Sequence, residues 1–507
     1  MFIFLFVSFI SNVSFSEIVT LADGRIVNLN EDGTFTIISE NVDNVNTTYQ
    51  NSIIFLLDLL TIDYQSIEFL EGSKIVLENV TIDDQIKIGQ LTLIGLNKGY
   101  FQNFNIKKFD SYKGKLFEKL IVKNFSLGQD SGLLQSIDLL EINKLDIKKI
   151  DLLKKLAEGT STSNAENILS VIDSFSVDKI ILKKYITRIG NFYGYLDSLV
   201  INNFSNFSLG NLIYTGLIYD QKTEYFSQLI KVEKFEIKDL IFNRPSDYNI
   251  DWKDFWYFDD PRIFFSFFNS VRSIKTIGYY QENRLLGIVL TTDESEIADF
   301  QTKKMDGFSI PVSFKASSKG TQITNINNYF DNDFNKLNYD KLKFDSELAV
   351  DWNTIYNVFS IQYILAMQKG FDFNLEVKIE DVDENLISLI PSPVLISSLM
   401  EGPKIKKFEI SVQDKGLAER LLNYGASNKN MTKTEFVNYI ISEIRSDPST
   451  YSFQSDLVLA IINFIKQPDK ITFSINPPTS LSFADISSFI ASPDVLVELL
   501  NLNIKYN

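Results

Sequence analysis

The sequence predicts an α+β protein dominated by strands: an extended twisted sheet of repeated strand units, helices packed on one face, and a more helical C-terminal third. Three observations carry that prediction. A six-residue word, apolar-x-Asn/Lys-apolar-x-apolar, recurs along the chain. Alternation with a period of two follows its third position, as in a half-buried strand. A capping box and amphipathic stretches gather after residue 401.

Met1 to Ile10 is an apolar run, and small residues follow at Ser14 and Ser16. That is the pattern of a signal peptide over residues 1–16, with cleavage before Glu17. The run is too short to span a bilayer as a helix, and no later apolar stretch reaches the ~18 residues a membrane helix needs. The expectation is a periplasmic chain without a transmembrane segment once the signal is removed; the cell surface is the alternative location. Residues 17–40 alternate apolar and polar around Asp23-Gly24 and Asp32-Gly33, which predicts a three-stranded meander with tight turns. This element resembles one found near the start of many small bacterial exported proteins. Residues 41–51 are rich in Asn and Thr and read as a linker.

The repeat region is expected over residues 53–250. Its word appears as Leu77-Glu-Asn79-Val80-Thr-Ile82, Phe101-Gln-Asn103-Phe104-Asn-Ile106, Val122-Lys-Asn124-Phe125-Ser-Leu127 and Ile142-Asn-Lys144-Leu145-Asp-Ile147. The starts at 77, 101, 122 and 142 lie 24, 21 and 20 residues apart, near-regular enough to suggest stacked like units. Val232-Glu-Lys234-Phe235-Glu-Ile237 and Ile405-Lys-Lys407-Phe408-Glu-Ile410 are further copies, and Ile201-Asn-Asn203-Phe204 is a partial one. Each unit reads as a strand with an irregular, bulged start.

A second β-rich region with inserted helices is expected over residues 251–400. Strands are read at Leu285–Thr291, Phe308–Ala316, Lys343–Val350 and Phe371–Ile379, and short helices at Leu152–Glu158 and Ala165–Phe175. Asp260 onward reads as a helix with Pro261 in its first turn, and Thr354–Met367 as a helix between two strands. Residues 401–507 form an α+β region. In it Leu417–Tyr424 stops at Gly425, and Thr432-Lys-Thr-Glu435 is a capping box opening Phe436–Arg445. Asp456–Ile465 is apolar nearly all round and is expected to be buried between layers. Ile471–Ile475 and Leu502–Tyr506 read as strands, Ala484–Ala491 and Pro493–Leu500 as helices.

Composition excludes several chemistries. The chain has no Cys and no His, which removes Cys/His zinc sites, thiol nucleophiles, iron–sulfur clusters and Ser-His-Asp triads. Asp and Glu outnumber Lys and Arg by 65 to 49, a charge of −16, which repels nucleic acid and argues against a polybasic membrane-surface protein. Phosphate-cradling Gly motifs are absent. Asp331-Asn332-Asp333 with Asn335 has the acidic spacing of a calcium loop but lacks its glycine before Leu337. Asp259-Asp260, beside the aromatic run from Trp252 to Phe258, is the pair to nominate for carboxylate glycoside hydrolysis, though Asp before Pro261 is equally a helix N-cap. The sequence therefore assigns no catalytic, cofactor or metal residue.

The C-terminal third carries Phe408-Glu-Ile410-Ser-Val412, Asp414-Lys-Gly416-Leu417-Ala-Glu-Arg420-Leu421, the capping-box helix, Ile471–Ile475 and Pro477-Pro478. This order resembles uncharacterised exported proteins of alphaproteobacteria. The repeat half is loosely similar to AsmA-like and YdgA-like periplasmic proteins. That resemblance implies a long sheet associated with envelope and lipid traffic. The expected function is a non-enzymatic periplasmic protein that binds a lipid or an envelope partner along an extended sheet. A carbohydrate-active enzyme using paired carboxylates, and a structural or adhesive surface protein, stay open beside it.

Overall fold

The computed structural model describes residues 17–20, 26–29, 35–39, 49–51, 53–54, 57, 62–71, 73–82, 85–97, 113–128, 133–148, 174–244, 265–305, 307–325, 337, 339, 341–384, 402–446, 455–489 and 493–506. Among them 66% are in strands and 16% in helices. The β-dominated class is as expected, and the ladders between strands are antiparallel.

Strands β1 (Glu17–Thr20), β2 (Ile26–Leu29) and β3 (Phe35–Ser39) form a three-stranded antiparallel sheet in sequence order. The Asp-Gly pairs fall between these strands. The chain divides into two compact units, one of residues 1–221 and 238–267, the other of 222–237 and 268–507.

The first unit holds β4 (Ile62–Asp63), β5 (Ser66–Leu70), β6 (Lys74–Ile82), β7 (Ile86–Ile94), β8 (Gly114–Gly128), β9 (Leu133–Ile147), β10 (Phe175–Ile189), β11 (Phe192–Ser205) and β12 (Ser208–Lys222). From β5 onward each strand pairs with the next. One row of opposed residues, Leu77–Leu91–Val122–Leu140–Leu182–Leu199, crosses six strands and is buried along most of its length. It belongs to the main apolar core, together with Ile75, Phe117 and Ile147.

The recurring word acquires its physical meaning here. Asn79, Asn124, Lys144 and Asn203, each at its third position, have φ of 50–54° inside a strand. Such a left-handed residue resets the pleat. Inward residues run 75, 77 and then 80, 82 in β6; they run 120, 122 and then 125 in β8, and 140, 142 and then 145, 147 in β9. The apolar spacing i, i+3, i+5 is therefore what keeps all three side chains on one face when position i+2 is left-handed. The pairing register passes through unchanged: Glu78 faces Gln90 and Val80 faces Ile88, with Asn79 and Gly89 between them. These units are thus not bulges with an added residue, as expected from sequence, but creases that cross several strands together. The Phe101 copy lies outside the described residues, Lys234 of the Val232 copy is not left-handed, and the Ile405 copy differs again. Lys378 pairs with Lys407 and Ile379 with Ile405, so Lys406 is the extra residue of a bulge.

The end of the stretch read as a linker, residues 49–51, is in helix, as are 53, 54 and 57 at the start of the expected repeat region, and Tyr49, Ile53 and Leu57 are buried against the core. Their i, i+4, i+8 spacing is an apolar helical stripe that the surrounding Asn and Thr residues hid. The helices expected at 152–158 and over most of 165–175 lie outside the described residues; Phe175 itself opens β10.

The long strand β13 (Ser227–Phe242) contributes its first part to the second unit. That unit continues with β14 (Phe268–Asn283), β15 (Ile288–Met305), β16 (Phe308–Thr324), β17 (Lys341–Asn353), β18 (Val358–Met367), β19 (Phe371–Glu380) and β20 (Lys404–Asp414). Helices α1 (Leu417–Asn428), α2 (Lys433–Ser446) and α3 (Ser455–Lys466) follow. The chain then forms β21 (Lys470–Ile475), β22 (Leu481–Ser482), α4 (Phe483–Ser488), α5 (Pro493–Leu499) and β23 (Asn503–Tyr506).

Five expectations are corrected here. Thr354–Met367 is not a helix: residues 354–357 turn and Val358–Met367 is β18. The Asn353 side chain accepts hydrogen bonds from the Ile355 and Tyr356 amides, and Asn357 is left-handed at φ 53°, so the chain reverses before a helix can start. Phe268–Arg272, read as the end of the Asp260 helix, opens β14, while residues 251–264 are outside the described set. Residues 285–287 are a turn, and the strand there begins at Ile288. Gly425 does not end α1 but lies inside it. A Cβ there would sit 2.4 Å from the Phe436 ring, so this glycine lets α2 approach closely. Finally, α3 is not buried all round: Ala460 and Ile462 are buried, while Leu459 and Ile461 face solvent.

Candidate functional site

The second unit carries an apolar sheet face that is covered far less than the core of the first. Three rows of opposed residues build it. Leu348–Tyr363–Leu375–Ile410–Phe473–Ile504 runs across β17 to β23. Val350–Ile361–Val377–Phe408–Ile475 lies on one side of it, and Leu365–Phe373–Val412–Ile471–Tyr506 on the other. Ring contacts confirm that these rows share a face: Tyr363 and Phe373 stand 6.1 Å apart, Phe408 and Phe473 6.2 Å. Strand periodicity produces it directly, because every second residue of β18 to β21 is aliphatic or aromatic. All of these side chains are half-buried, whereas Leu77, Leu182 and Ile137 of the first unit's core are 1–2% exposed.

The opposite face of the same strands is polar. Lys407 Nζ lies 2.7 Å from Glu376 and 3.6 Å from Glu409. Its hydrogen bond to Glu376 holds the ammonium above its ordinary pKa. Elsewhere in the unit, between β14 and β15, Lys275 is bonded at 2.8 Å to Glu294, which raises the lysine and lowers the carboxylate. The sheet is thus strongly two-faced, with its charges paired on one side.

One edge of this surface is closed. Trp352 is buried with Met305 and Val382, and its indole N–H donates to the Val382 carbonyl at 2.9 Å. Near the C terminus α3 packs on β21 and β23, and the Tyr506 hydroxyl donates to the Gln467 carbonyl at 2.7 Å.

Asp259, Asp260, the aromatic run from Trp252, and Asp331 to Asn335 lie outside the described residues. Leu337 is described, and its carbonyl accepts from Arg420 Nη1 at 3.0 Å. Among the described residues no group of three or more acids has the arrangement of a metal site, and no helix is long and apolar enough to cross a membrane.

Sequence reading did not single out the apolar face. The signal was present as alternation in 358–379 and 405–412, but residues 358–367 were assigned to a helix.

Fold and site together define a β-dominated protein with an amphipathic antiparallel sheet. A protein-family profile described as "Uncharacterized protein" matches residues 364–507, the stretch from within β18 to the C terminus that carries most of the apolar face. No curated protein matches the chain.

Proposed function

We propose that this is a non-enzymatic protein of the cell envelope that holds the apolar part of a lipid against the half-covered sheet face of its second unit. The observation that carries the proposal is the face itself: three adjacent apolar rows, rich in aromatic and branched side chains, none of them closed over as the first unit's core is. A contiguous apolar surface beyond a few hundred Å² is rare on a protein with nothing to cover it. A lipid chain gains ~0.8 kcal/mol for each methylene it buries there. The paired charges on the opposite face suit a water-facing back. The apolar run at residues 1–10 supports a periplasmic setting. The loose similarity of the repeats to AsmA-like and YdgA-like proteins supports a role in envelope lipid traffic.

The test is extraction of protein purified from its native membrane fraction or periplasm, followed by mass spectrometry of the organic phase. Stoichiometric lipid is expected, and its amount should fall at least several-fold in Leu375→Lys, which places a charge in the central row. Lipid-free protein that also fails to bind a fluorescent fatty acid refutes the reading.

A further inference from the structure

Two neighbouring hairpin tips of the second unit expose apolar side chains to solvent. Tyr225 is 85% and Phe226 43% exposed in the turn before β13; Leu285 is 55% and Leu286 37% exposed in the turn between β14 and β15. The tips are adjacent, because the Arg284 amide donates to the Ser227 carbonyl at 3.0 Å. Each turn is fixed by its own polar residue. The Thr223 hydroxyl accepts from the Phe226 amide at 2.9 Å, and the Asn283 side chain accepts from the Leu285 and Leu286 amides, both at 3.1 Å. These bonds hold the turns in one conformation, so the apolar pairs point outward by construction of the backbone.

We propose that this double tip is the part of the protein that enters the headgroup layer of a lipid bilayer. A protein partner fits less well. Four exposed side chains at two adjacent turns fall far short of the ~1,000 Å² that a specific protein interface buries. Tyr and Phe beside Leu are the residues that partition into the membrane–water interface. Glu224 adjoins Tyr225 in sequence with Lys222 two residues before Glu224, and Arg284, held 3.6 Å from Glu282, adjoins Leu285. No excess of basic residues surrounds the tip, and the chain carries −16 overall, so attachment runs through apolar insertion and not through attraction to anionic lipid. The tip is also continuous with the apolar face. Ile288 and Leu290 follow it on β15, and Leu290 pairs with Ile323 of β16, which pairs with Leu342 of β17. A lipid leaving the bilayer at the tip meets aliphatic side chains along that route. The inference deepens the lipid-binding reading and rests on it for the cargo alone.

The experiment is flotation of the purified full-length chain with phosphatidylcholine vesicles. Wild type is expected to float with them at low and at high salt alike, and Tyr225→Ser/Leu285→Ser to lose at least tenfold in bound fraction. A Tyr225→Trp variant should shift its emission to the blue when vesicles are added. Lipid extraction is run on the same samples. Lost flotation with retained lipid supports the tip. Lost flotation with lipid absent from both proteins also supports the tip while refuting the cargo reading. Wild type that stays in solution, a double variant that floats as wild type does, or binding abolished by salt overturns the proposal. So does a wild-type dimer in sedimentation that the double variant abolishes, since the tip is then a contact between copies.

Discussion

At the scale of single residues, the creases depend on a few side chains that tolerate left-handed backbone. Asn124 at φ 54° and Lys144 at φ 50° are typical. An L-residue pays ~1–2 kcal/mol for this conformation, less for Asn and nothing for Gly. Asn124→Val is therefore expected to destabilise the chain by ~1–2 kcal/mol, and Asn124→Gly by under ~0.5 kcal/mol or not at all, read as a shift in urea midpoint. Equal effects of the two substitutions would refute a conformational role. The neighbour matters too: a Cβ on Gly89 would come 3.1 Å from the Asn124 Cβ, so the crease needs a small residue across from it. Lys144 and Lys184 occupy left-handed positions and reach sideways to Asp178 at 2.6 Å and Asp138 at 3.1 Å. Both ammonium groups are held above their ordinary pKa, first by the hydrogen bond and then by the charge of the aspartate. The word apolar-x-Asn/Lys-apolar-x-apolar was visible in the sequence, but its cause was not. Asp239 and Asp299 are left-handed in the same way, but aspartate is not part of the recurring word.

At the scale of elements, the α1–α2 pair shows how a local signal can be read in two ways. Glycine near the end of an apolar helical pattern normally stops the helix. Here Gly425 instead makes room for Phe436. Gly425→Val should cost ~1–3 kcal/mol by overpacking, and Phe436→Ala added to it should cost less than the sum of the two single changes. Strict additivity in that double-mutant cycle would remove the packing argument. The capping box of α2 was read correctly: the Thr432 amide donates to Glu435 at 2.7 Å, and the Glu435 amide donates to the Thr432 hydroxyl at 3.3 Å. The Thr432 amide and hydroxyl, both donating to the Glu435 carboxylate, hold it below its ordinary pKa, the amide most of all. A carboxylate lowered on folding stabilises the fold fully above its unfolded value of about 4.3, and this is lost as pH falls through the folded value. The stability gap between wild type and Glu435→Gln, measured by urea unfolding, should be open at pH 7 and close as pH falls through the lowered folded value. A gap that persists in acid would show that charge is not its source. The reversal at residues 354–357 was not legible in the same way. Ile355, Tyr356, Val358 and Phe359 match a helical stripe as well as a hairpin, and the Asn353 cap settled it for the hairpin.

At the scale of the molecule, the two units use the same alternation to different ends. In the first, rows such as Leu77 to Leu182 are closed over and supply stability. In the second, the equivalent rows stay half-covered, which is a poor use of apolar area for stability and a good one for holding a ligand. Because Leu375 is half-buried, Leu375→Lys is expected to leave the circular dichroism spectrum unchanged while lowering dye binding to the face. A variant that unfolds instead would show that the central row is structural core.

The sequence by itself determined the strand-dominated class, the meander at residues 17–39, the spacing of the creased strands, the α2 cap and the absence of cysteine and histidine chemistry. These properties are written in windows of a few residues, where backbone preference and side-chain alternation act directly. Tertiary structure decided that the left-handed positions align into creases across strands, that Gly425 serves a neighbour, that Tyr49, Ile53 and Leu57 close the first core, and that the second apolar face is left half-open. Coverage of a face depends on which distant segments approach it, and no short window of sequence contains that information.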